Sequence, residues 1–291
     1  MDIGFFGINT GVFSTREAVT RVAQTAEQAG YESIWTGEHL VLVDPQVAPS
    51  PVPPHTRMVD TIATLAFAAA VTERVKLGSG IILLAQRNPV VLAKELAGID
   101  VLSEGRLLFG VGVGYVKQEF DVIGVPYDER GARVSEHIEA IRALWTQDAP
   151  EFHGEFTQFS GIQSHPRPLQ QPHPPIIIGG MSAPAYRRAV SQGNGWYGFF
   201  QDLDATAVAI KGLENAAKRT ERPASLGELE ISITPPGAVD LDTVKRYEDL
   251  GVSRLILLRE FADLTKQVEG ASKLDEALRF VTETAETLGI A

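Results

Sequence analysis

Hydrophobic and polar positions follow two alternating patterns along the chain. Short runs rich in β-branched and aromatic residues predict strands, and the longer stretches between them have the apolar spacing of helices. Some strands read as continuous apolar runs, such as Ile176-Ile177-Ile178, which is typical of parallel strands covered by helices on both faces. The predicted strands are residues 3–7, 33–39, 75–85, 107–114, 175–180, 196–200, 229–234 and 254–259.

Helix boundary signals fall between these runs. Ser14, with Glu17 three residues later, predicts a capping box on the first helix. Asp60 fits the N-cap of the second helix, and Asn88-Pro89 fits the start of the third. Glycines at positions 30, 105, 193 and 251 each stop a helix directly before a strand. The later helices are predicted near residues 133–145, up to 192, and over 205–219, 242–250 and 272–288.

Eight strands in strict alternation with eight helices predict an α/β fold with a parallel sheet. Eight such units fit a closed (β/α)8 TIM barrel, and we expect a single domain over residues 1–291. An open doubly wound sheet is the alternative, but residues 7–11 match its glycine-rich first turn poorly. Proline-rich segment 44–58 is a candidate lid on the catalytic face, whereas irregular segment 152–175 is expected mainly on the opposite side.

Composition excludes several classes of function. The absence of cysteine rules out disulfides, thiolate metal sites and a cysteine nucleophile, and the five histidines other than His39 lack ligand spacing, so we expect no metal. A net charge of −11 without a basic cluster argues against nucleic-acid binding. The N-terminus does not resemble a signal peptide, and the apolar stretch 62–71 is too short to cross a bilayer. We therefore expect a cytoplasmic protein that binds no membrane.

Strand 2 is predicted to end in Glu38-His39, a carboxylate beside an imidazole. Active sites of TIM barrels lie at the carboxyl ends of strands, where such groups can position and tune a reacting group. Side chains alternate along a strand, so Glu38 and His39 need not form an acid–base dyad. The alternative is that His39 only binds the backbone of a loop.

Glycines crowd three further strand ends. Gly80 lies inside strand 3, and strand 4 ends in Gly112-Val113-Gly114-Tyr115. Such glycines indicate a bulge, tight packing or the close approach of a flat ligand. Strand 5 ends in Gly179-Gly180-Met181-Ser182 directly before a helix, where free N–H groups can bind phosphate. A simple helix cap by Ser182 is the alternative there.

These strand ends, together with other motifs in the same order, resemble the bacterial luciferase-like monooxygenase superfamily of flavin- or deazaflavin-dependent barrels. The branch of coenzyme F420-dependent oxidoreductases is the most similar. The motifs cover most of residues 1–200: Ala29-Gly30-Tyr31-Glu32-Ser33-Ile34-Trp35, Glu38-His39, Leu77-Gly78-Ser79-Gly80-Ile81, Arg87-Asn88-Pro89-Val90-Val91-Leu92-Ala93-Lys94-Glu95, Leu102-Ser103-Glu104-Gly105-Arg106, Gly110-Val111-Gly112-Val113-Gly114 and Pro175-Ile176-Ile177-Ile178-Gly179-Gly180.

The resemblance implies specific roles for several of these residues. A strand-3 bulge with a non-proline cis peptide, which backs the cofactor ring in the family, maps onto Gly80-Ile81. The turn 179–182 would hold the cofactor phosphate, and His39 would lie beside the reactive ring face. Sugar-phosphate dehydrogenases of the superfamily carry a glutamate where this chain has Tyr115, which argues against glucose-6-phosphate oxidation. Tyr115 can line the pocket or donate a hydrogen bond.

The resemblance favours an F420-dependent oxidoreductase that transfers hydride between the deazaflavin and a small organic substrate. We expect a second copy of the chain as a partner, in a homodimer. An FMN-dependent monooxygenase is one alternative, because both cofactors share the tricyclic ring and only the deazaflavin is poor at activating oxygen. A flavin-binding barrel without turnover is another. A phosphate-ester aldolase lacks the required strand-end lysine. The sequence does not identify the substrate.

Overall fold

Parallel strands pair around a closed ring in a computed structural model that describes residues 1–259 and 271–291. The ring runs β2–β1–β11–β10–β9–β8–β5–β3, and β4 continues β3 beyond a break at Gly80-Ile81. An antiparallel pair, β6 and β7, lies outside it. The strands are β1 Asp2–Phe6, β2 Ser33–Thr36, β3 Lys76–Ser79, β4 Ile82–Leu83, β5 Leu107–Gly112, β6 Phe152–His153, β7 Gln158–Phe159, β8 Ile176–Gly179, β9 Gly195–Gly198, β10 Glu230–Ile233 and β11 Arg254–Leu257.

Helices follow the barrel strands and bury an apolar layer against them. The predicted (β/α)8 barrel is therefore confirmed. The short helix α4, in the connection after β5, was not predicted. The described helices are α1 Arg16–Gln28, α2 Thr61–Val71, α3 Pro89–Leu102, α4 Lys117–Ile123, α5 Arg130–Thr146, α6 Ala183–Gln192, α7 Leu203–Ala217, α8 Leu241–Asp249 and α9 Ala271–Leu288.

Some predicted boundaries differ from the structure. The N-cap of α1 is Thr15, whose side chain accepts from the Ala18 N–H, because the Ser14 hydroxyl instead donates to the Gly11 carbonyl. Strand β2 ends at Thr36, so Glu38 and His39 lie in the segment after the strand rather than at its predicted end. Three of the four helix-stopping glycines are left-handed, whereas Gly193 is extended at φ −101°. A Cβ at Gly193 would lie 2.8 Å from the Ile178 side chain, so close packing explains that glycine.

Large side chains fill the barrel interior. The indole of Trp35 is fully buried there and lies 5.7 Å from the ring of Tyr197. A Cβ at Gly78 would lie 2.3 Å from the Trp35 ring, so this strand-3 glycine makes room for the indole. The residues of this inner cluster are Phe6, Trp35, Leu108, Ile177, Tyr197, Ile256 and Leu258.

A buried arginine links strands at the amino end of the barrel. Arg254, at the start of β11, is 2% exposed and donates to Glu32 at 2.9 Å. It also forms an ion pair with Glu230 at 2.5 Å and a hydrogen bond to Ser232 at 3.1 Å. Burial opposes ionisation of Glu32, but the bonds from Arg254 outweigh it and lower the Glu32 pKa.

The two irregular segments lie at opposite ends of the barrel. The buried Asp100 carboxylate accepts backbone N–H groups from Leu169 and Gln170, and the Gln170 amide donates to the carbonyl of Leu107, where β5 begins. Segment 152–175 therefore reaches the amino end, as predicted. At the other end, the Asn9 side chain ties the end of segment 44–58 to the barrel by donating to the Val59 carbonyl. Within the described ranges, no helix is long and apolar enough to span a bilayer.

Candidate active site

A cavity of about 630 Å³ opens at the carboxyl end of the barrel. This volume is in the range of small-molecule and cofactor sites. Strand ends, segment 44–58 and the turns after β5, β8 and β9 form its walls. The lining residues are Phe6, Thr10, Gly37, Glu38, His39, Pro51, Val52, Met58, Gly80, Ile81, Leu83, Val113, Gly114, Tyr115, Gly179, Gly180, Met181, Tyr197, Phe199, Phe200 and Gln201.

The peptide bond between Gly80 and Ile81 is cis and lies in the cavity wall, as the resemblance implied. The neighbouring strand-end glycines make room for this bulge. A Cβ at Gly112 would lie 2.2 Å from the Ile81 side chain, and one at Gly179 would lie 2.5 Å from it. A Cβ at Gly110 would lie 1.8 Å from the Ser79 carbonyl oxygen. These glycines therefore support the cis segment directly.

His39 is held by a buried carboxylate from helix α4. Its Nδ1 lies 3.3 Å from Oε1 of Glu119, which is fully buried and also accepts the Leu40 N–H at 2.9 Å. With Glu119 ionised, its carboxylate can only accept, so Nδ1 carries the hydrogen and a neutral His39 presents the lone pair of Nε2 to the cavity. The bond to Glu119 thus fixes both the orientation and the tautomer of the imidazole.

Tyr115 faces the other nitrogen of His39. Its hydroxyl lies 3.5 Å from Nε2, and the two rings meet edge to face at 5.8 Å between centroids. Burial and the nearby Glu119 charge raise the pKa of Tyr115 to about 12, so its hydroxyl keeps its proton at neutral pH. Tyr115 is therefore a hydrogen-bond donor in the cavity wall, which combines the two roles that the sequence left open.

Glu38 has different partners from His39. Its Oε1 accepts two bonds from Arg87, at 2.8 Å from Nε and 2.5 Å from Nη2. Burial raises the pKa of Glu38 to about 7, although the Arg87 charge opposes that rise. Arg87 also reaches Asp60, the N-cap of α2. Glu38 and His39 therefore lie in one cavity but belong to separate hydrogen-bonded groups.

The turn after β8 leads directly into helix α6. Gly180 has φ +114°, a conformation that side chains other than glycine rarely adopt. Ser182 caps helix α6 by accepting the Ala185 N–H at 3.4 Å, as the alternative interpretation proposed. Met181 is half exposed at the cavity rim. In the described structure, Gly112 and Ser182 are the only two predicted site residues outside the cavity lining.

Sequence reasoning missed Glu119 and Arg87. Both come from outside the strand ends, and Glu119 lies 80 residues from His39 along the chain. Glu119 is on the short helix α4, where apolar periodicity is weak. The only hint of Glu119 in the sequence is that this acidic residue directly precedes a large apolar one, Phe120.

The barrel, the cis peptide and the cavity above it define a luciferase-like TIM barrel. The model of the luciferase-like monooxygenase family matches residues 6–285. The chain therefore belongs to the luciferase-like monooxygenase family.

Two relatives illustrate the range of sequence similarity. An uncharacterised protein of Mycobacterium tuberculosis is 30% identical over 262 residues, which cover 84% of this chain and 88% of that protein. The FMNH2-dependent dimethylsulfone monooxygenase of Pseudomonas putida is 42% identical over 131 residues, which cover 44% of this chain and 36% of that enzyme.

Two solved structures share the fold. The monooxygenase RslO1 of Streptomyces bottropensis has a TM-score of 0.77 at 22% identity, with coverage of 99% of this chain and 98% of that one. An F420-dependent secondary alcohol dehydrogenase, in complex with an F420-acetone adduct, has a TM-score of 0.69 at 19% identity, with coverage of 98% and 84%.

Proposed function

We propose that this chain is a coenzyme F420-dependent oxidoreductase that transfers hydride between the deazaflavin and a small organic substrate. The observation that carries the proposal is His39, held by Glu119 so that Nε2 is available in a cavity whose wall contains the cis Gly80-Ile81 peptide. Hydride transfer to or from a carbon–oxygen group requires a proton partner at the oxygen, and the position of His39 in the cavity wall supports that role.

The residues of the cavity fit a tricyclic ring with a phosphate-bearing tail. Ile81, Leu83 and Val113 offer apolar surface to a planar ring beside the cis peptide. Gly180 allows the backbone to approach a phosphate at the N-terminus of α6, where free N–H groups favour an anion. When bound, the deazaflavin supplies a ring carbon that accepts or donates hydride.

The chain's own groups handle the proton. During oxidation of an alcohol, Nε2 of His39 accepts the hydroxyl proton, and the buried Glu119 carboxylate stabilises the imidazolium. In the reverse direction, the imidazolium returns the proton to the carbonyl oxygen. The Tyr115 hydroxyl, 3.5 Å from Nε2, donates a hydrogen bond to the same oxygen. Glu38 is assigned a positioning role through Arg87, next to the cis segment.

A second candidate is an FMN-dependent monooxygenase. The dimethylsulfone monooxygenase of Pseudomonas putida, at 42% identity over part of the chain, favours it, as does the structural similarity to RslO1. Both candidates use the same ring site, so the cofactor decides between them. A homodimer and a cytoplasmic location remain predictions for either candidate.

Parallel titrations of the purified protein with F420 and with FMN test the proposal. We expect F420 to bind about tenfold more tightly than FMN, or better. Changes in cofactor absorbance or fluorescence report the binding. A protein purified with stoichiometric FMN that ignores added F420 would be an FMN enzyme, and the proposal would be wrong.

The substitution Gly180→Val is expected to weaken cofactor binding by about tenfold or more while the barrel stays folded. Valine disfavours the backbone at φ +114° and so moves the N–H groups of the turn. The control is Gly251→Val, at φ +87° on the amino side of β11, which carries comparable backbone strain away from the cavity. Equal cofactor affinity in the two variants would show that the turn has only a structural role.

A further inference from the structure

Most polar side chains that line the cavity already have close partners inside the protein. The Tyr197 hydroxyl is 2.6 Å from Thr234 Oγ1, and the Gln201 amide nitrogen donates to the Phe199 carbonyl at 3.0 Å. Oε1 of Glu38 is engaged by Arg87 at 2.5–2.8 Å, and its Oε2, which has no hydrogen-bond partner among the described residues, is itself buried. A buried polar group that is already bonded gains little from a ligand.

The contact between His39 and Tyr115 is different. Its 3.5 Å separation is at the limit of a hydrogen bond, so a ligand oxygen beside the pair, in contact with both groups, would improve the bonding of both. The cavity therefore presents one polar point, where Nε2 accepts and the Tyr115 hydroxyl donates. A single hydroxyl or carbonyl oxygen matches that point.

The rest of the wall is apolar and continuous with an exposed apolar rim. Phe6 and Phe199 pack at 5.1 Å between ring centroids, and Phe199 and Phe200 at 6.0 Å. Val52 and Met58 add aliphatic surface from segment 44–58. The lining residues Tyr115, Met181 and Phe200 are between 44% and 55% exposed. Exposed apolar patches of this kind accompany sites that take apolar ligands.

Charge in the cavity disfavours anionic substrates. None of the lining residues within the described ranges is a lysine or an arginine, and the Glu38 carboxylate is already paired with Arg87. A substrate carboxylate or phosphate placed away from His39 would lose its hydration without gaining a cation in return.

We infer that the substrate is an uncharged, mainly apolar molecule that carries one hydroxyl or carbonyl group. This inference rests on the proposed function, because it takes the His39–Tyr115 point as the place where the reacting oxygen binds. The aromatic wall favours a flat or aromatic body, since aromatic pairs add to the free energy of apolar burial.

A pair of aromatic ketones of the same shape tests the inference. Calorimetric titration compares 4-methylacetophenone with 4-acetylbenzoate, which replaces the methyl group by a carboxylate, on the protein with and without F420. We expect the methyl compound to bind about tenfold more tightly or better. Equal affinity, or a preference for the carboxylate, would overturn the inference.

Two arginine variants separate the local charge of the cavity from the net charge of the protein. Met58→Arg puts a cation in the cavity wall, and Val47→Arg puts the same charge on an exposed position of the same segment. We expect Met58→Arg to shift the affinity ratio toward 4-acetylbenzoate by about tenfold, and Val47→Arg to leave it unchanged. An equal shift in both variants would mean that overall charge, rather than the cavity, sets the preference, and would overturn the inference.

The comparison also distinguishes this inference from the proposed function. Failure of F420 to bind, with the preference for the uncharged ketone intact, would refute the coenzyme assignment and leave the substrate class standing. Normal F420 binding without the preference would refute the substrate class alone.

Discussion

The substitution His39→Ala is expected to lower turnover by about 10²–10⁴-fold, the usual effect of removing a general acid or base. The imidazole lies in the cavity wall with Nδ1 bound to Glu119, and no other histidine of the described chain lines the cavity. Affinity for the cofactor should change much less, because the ring and phosphate contacts are assigned to other residues. Steady-state kinetics on a substrate that the wild type turns over well, with a parallel cofactor titration, measures both effects.

Variants of Glu119 show whether His39 needs its buried partner. In Glu119→Gln, the amide oxygen can still accept from His39 Nδ1 and from the Leu40 N–H, but the charge that stabilises the imidazolium is lost, so we expect a fall in kcat smaller than in the alanine variant. In Glu119→Ala both bonds are lost, and we expect kcat to fall by about 10–100-fold, as is typical for residues that orient a functional histidine. A purely structural glutamate would reduce the stability of both variants without this difference in kcat.

Activity of His39→Ala within about threefold of the wild type would contradict the assignment, since general acid–base catalysis is normally worth far more. Tyr115→Phe is a useful companion, because it removes the hydroxyl that lies 3.5 Å from Nε2 and leaves the ring in place. We expect a smaller loss there than in His39→Ala, because a hydrogen-bond donor is removed but the proton acceptor remains.

The fold was predictable because its signals are local. Apolar runs such as Ile176-Ile177-Ile178 and helix caps such as Asp60 and Asn88 are each read within a few residues, and the structure has them as predicted. The N-cap of α1 was predicted wrongly because two neighbouring residues are both suited to that position. Ser14 and Thr15 can both cap α1, and only the bond from Ser14 to the Gly11 carbonyl decides between them.

The candidate site was predictable only in part, because its remaining contacts join distant parts of the chain. Strand-end position alone pointed to His39, but its partner Glu119 is brought near by a short helix without clear periodicity. The glycines show a similar limit. Gly78 makes room for the Trp35 side chain, and Gly112 makes room for the Ile81 side chain. Gly80, by contrast, belongs to the cis peptide bond, so one residue type has two different roles in this region. A sequence cannot show which side chain lies opposite a given glycine.

Substitution of Arg254 is expected to have the largest effect on stability. Arg254→Met keeps much of the side-chain volume but leaves Glu32 and Glu230 without their shared cation at the amino end of the barrel. Removing one partner from a fully buried ion pair typically costs about 3–5 kcal/mol. Glu32 keeps Lys76 at 2.8 Å and both carboxylates are partly exposed, so we expect the lower end of that range. Urea unfolding of wild type and variant measures the difference in the free energy of unfolding.

The matched control is Arg21→Met. Arg21 also forms ion pairs, with Asp275 at 2.7 Å and with Glu17, but its side chain is 41% exposed. Exposed ion pairs are worth at most about 1 kcal/mol. A loss of stability in Arg254→Met no larger than in Arg21→Met would mean that the buried cluster contributes no more than a surface pair.

The pH dependence of stability supplies an independent check on Arg254. The Glu32 pKa is lowered in the folded protein, so the Arg254–Glu32 interaction contributes stability above the ordinary glutamate pKa of 4.5. That contribution is lost as pH falls through the lowered value, because the carboxylate is then protonated in the folded state as well. The stability gap between wild type and Arg254→Met should therefore be full at neutral pH and shrink in acid. Affinity for the cofactor should be unchanged in folded Arg254→Met, because Arg254 lies at the barrel end opposite the cavity. A gap that stays constant down to acid pH would show that lost packing, rather than lost charge, accounts for the effect.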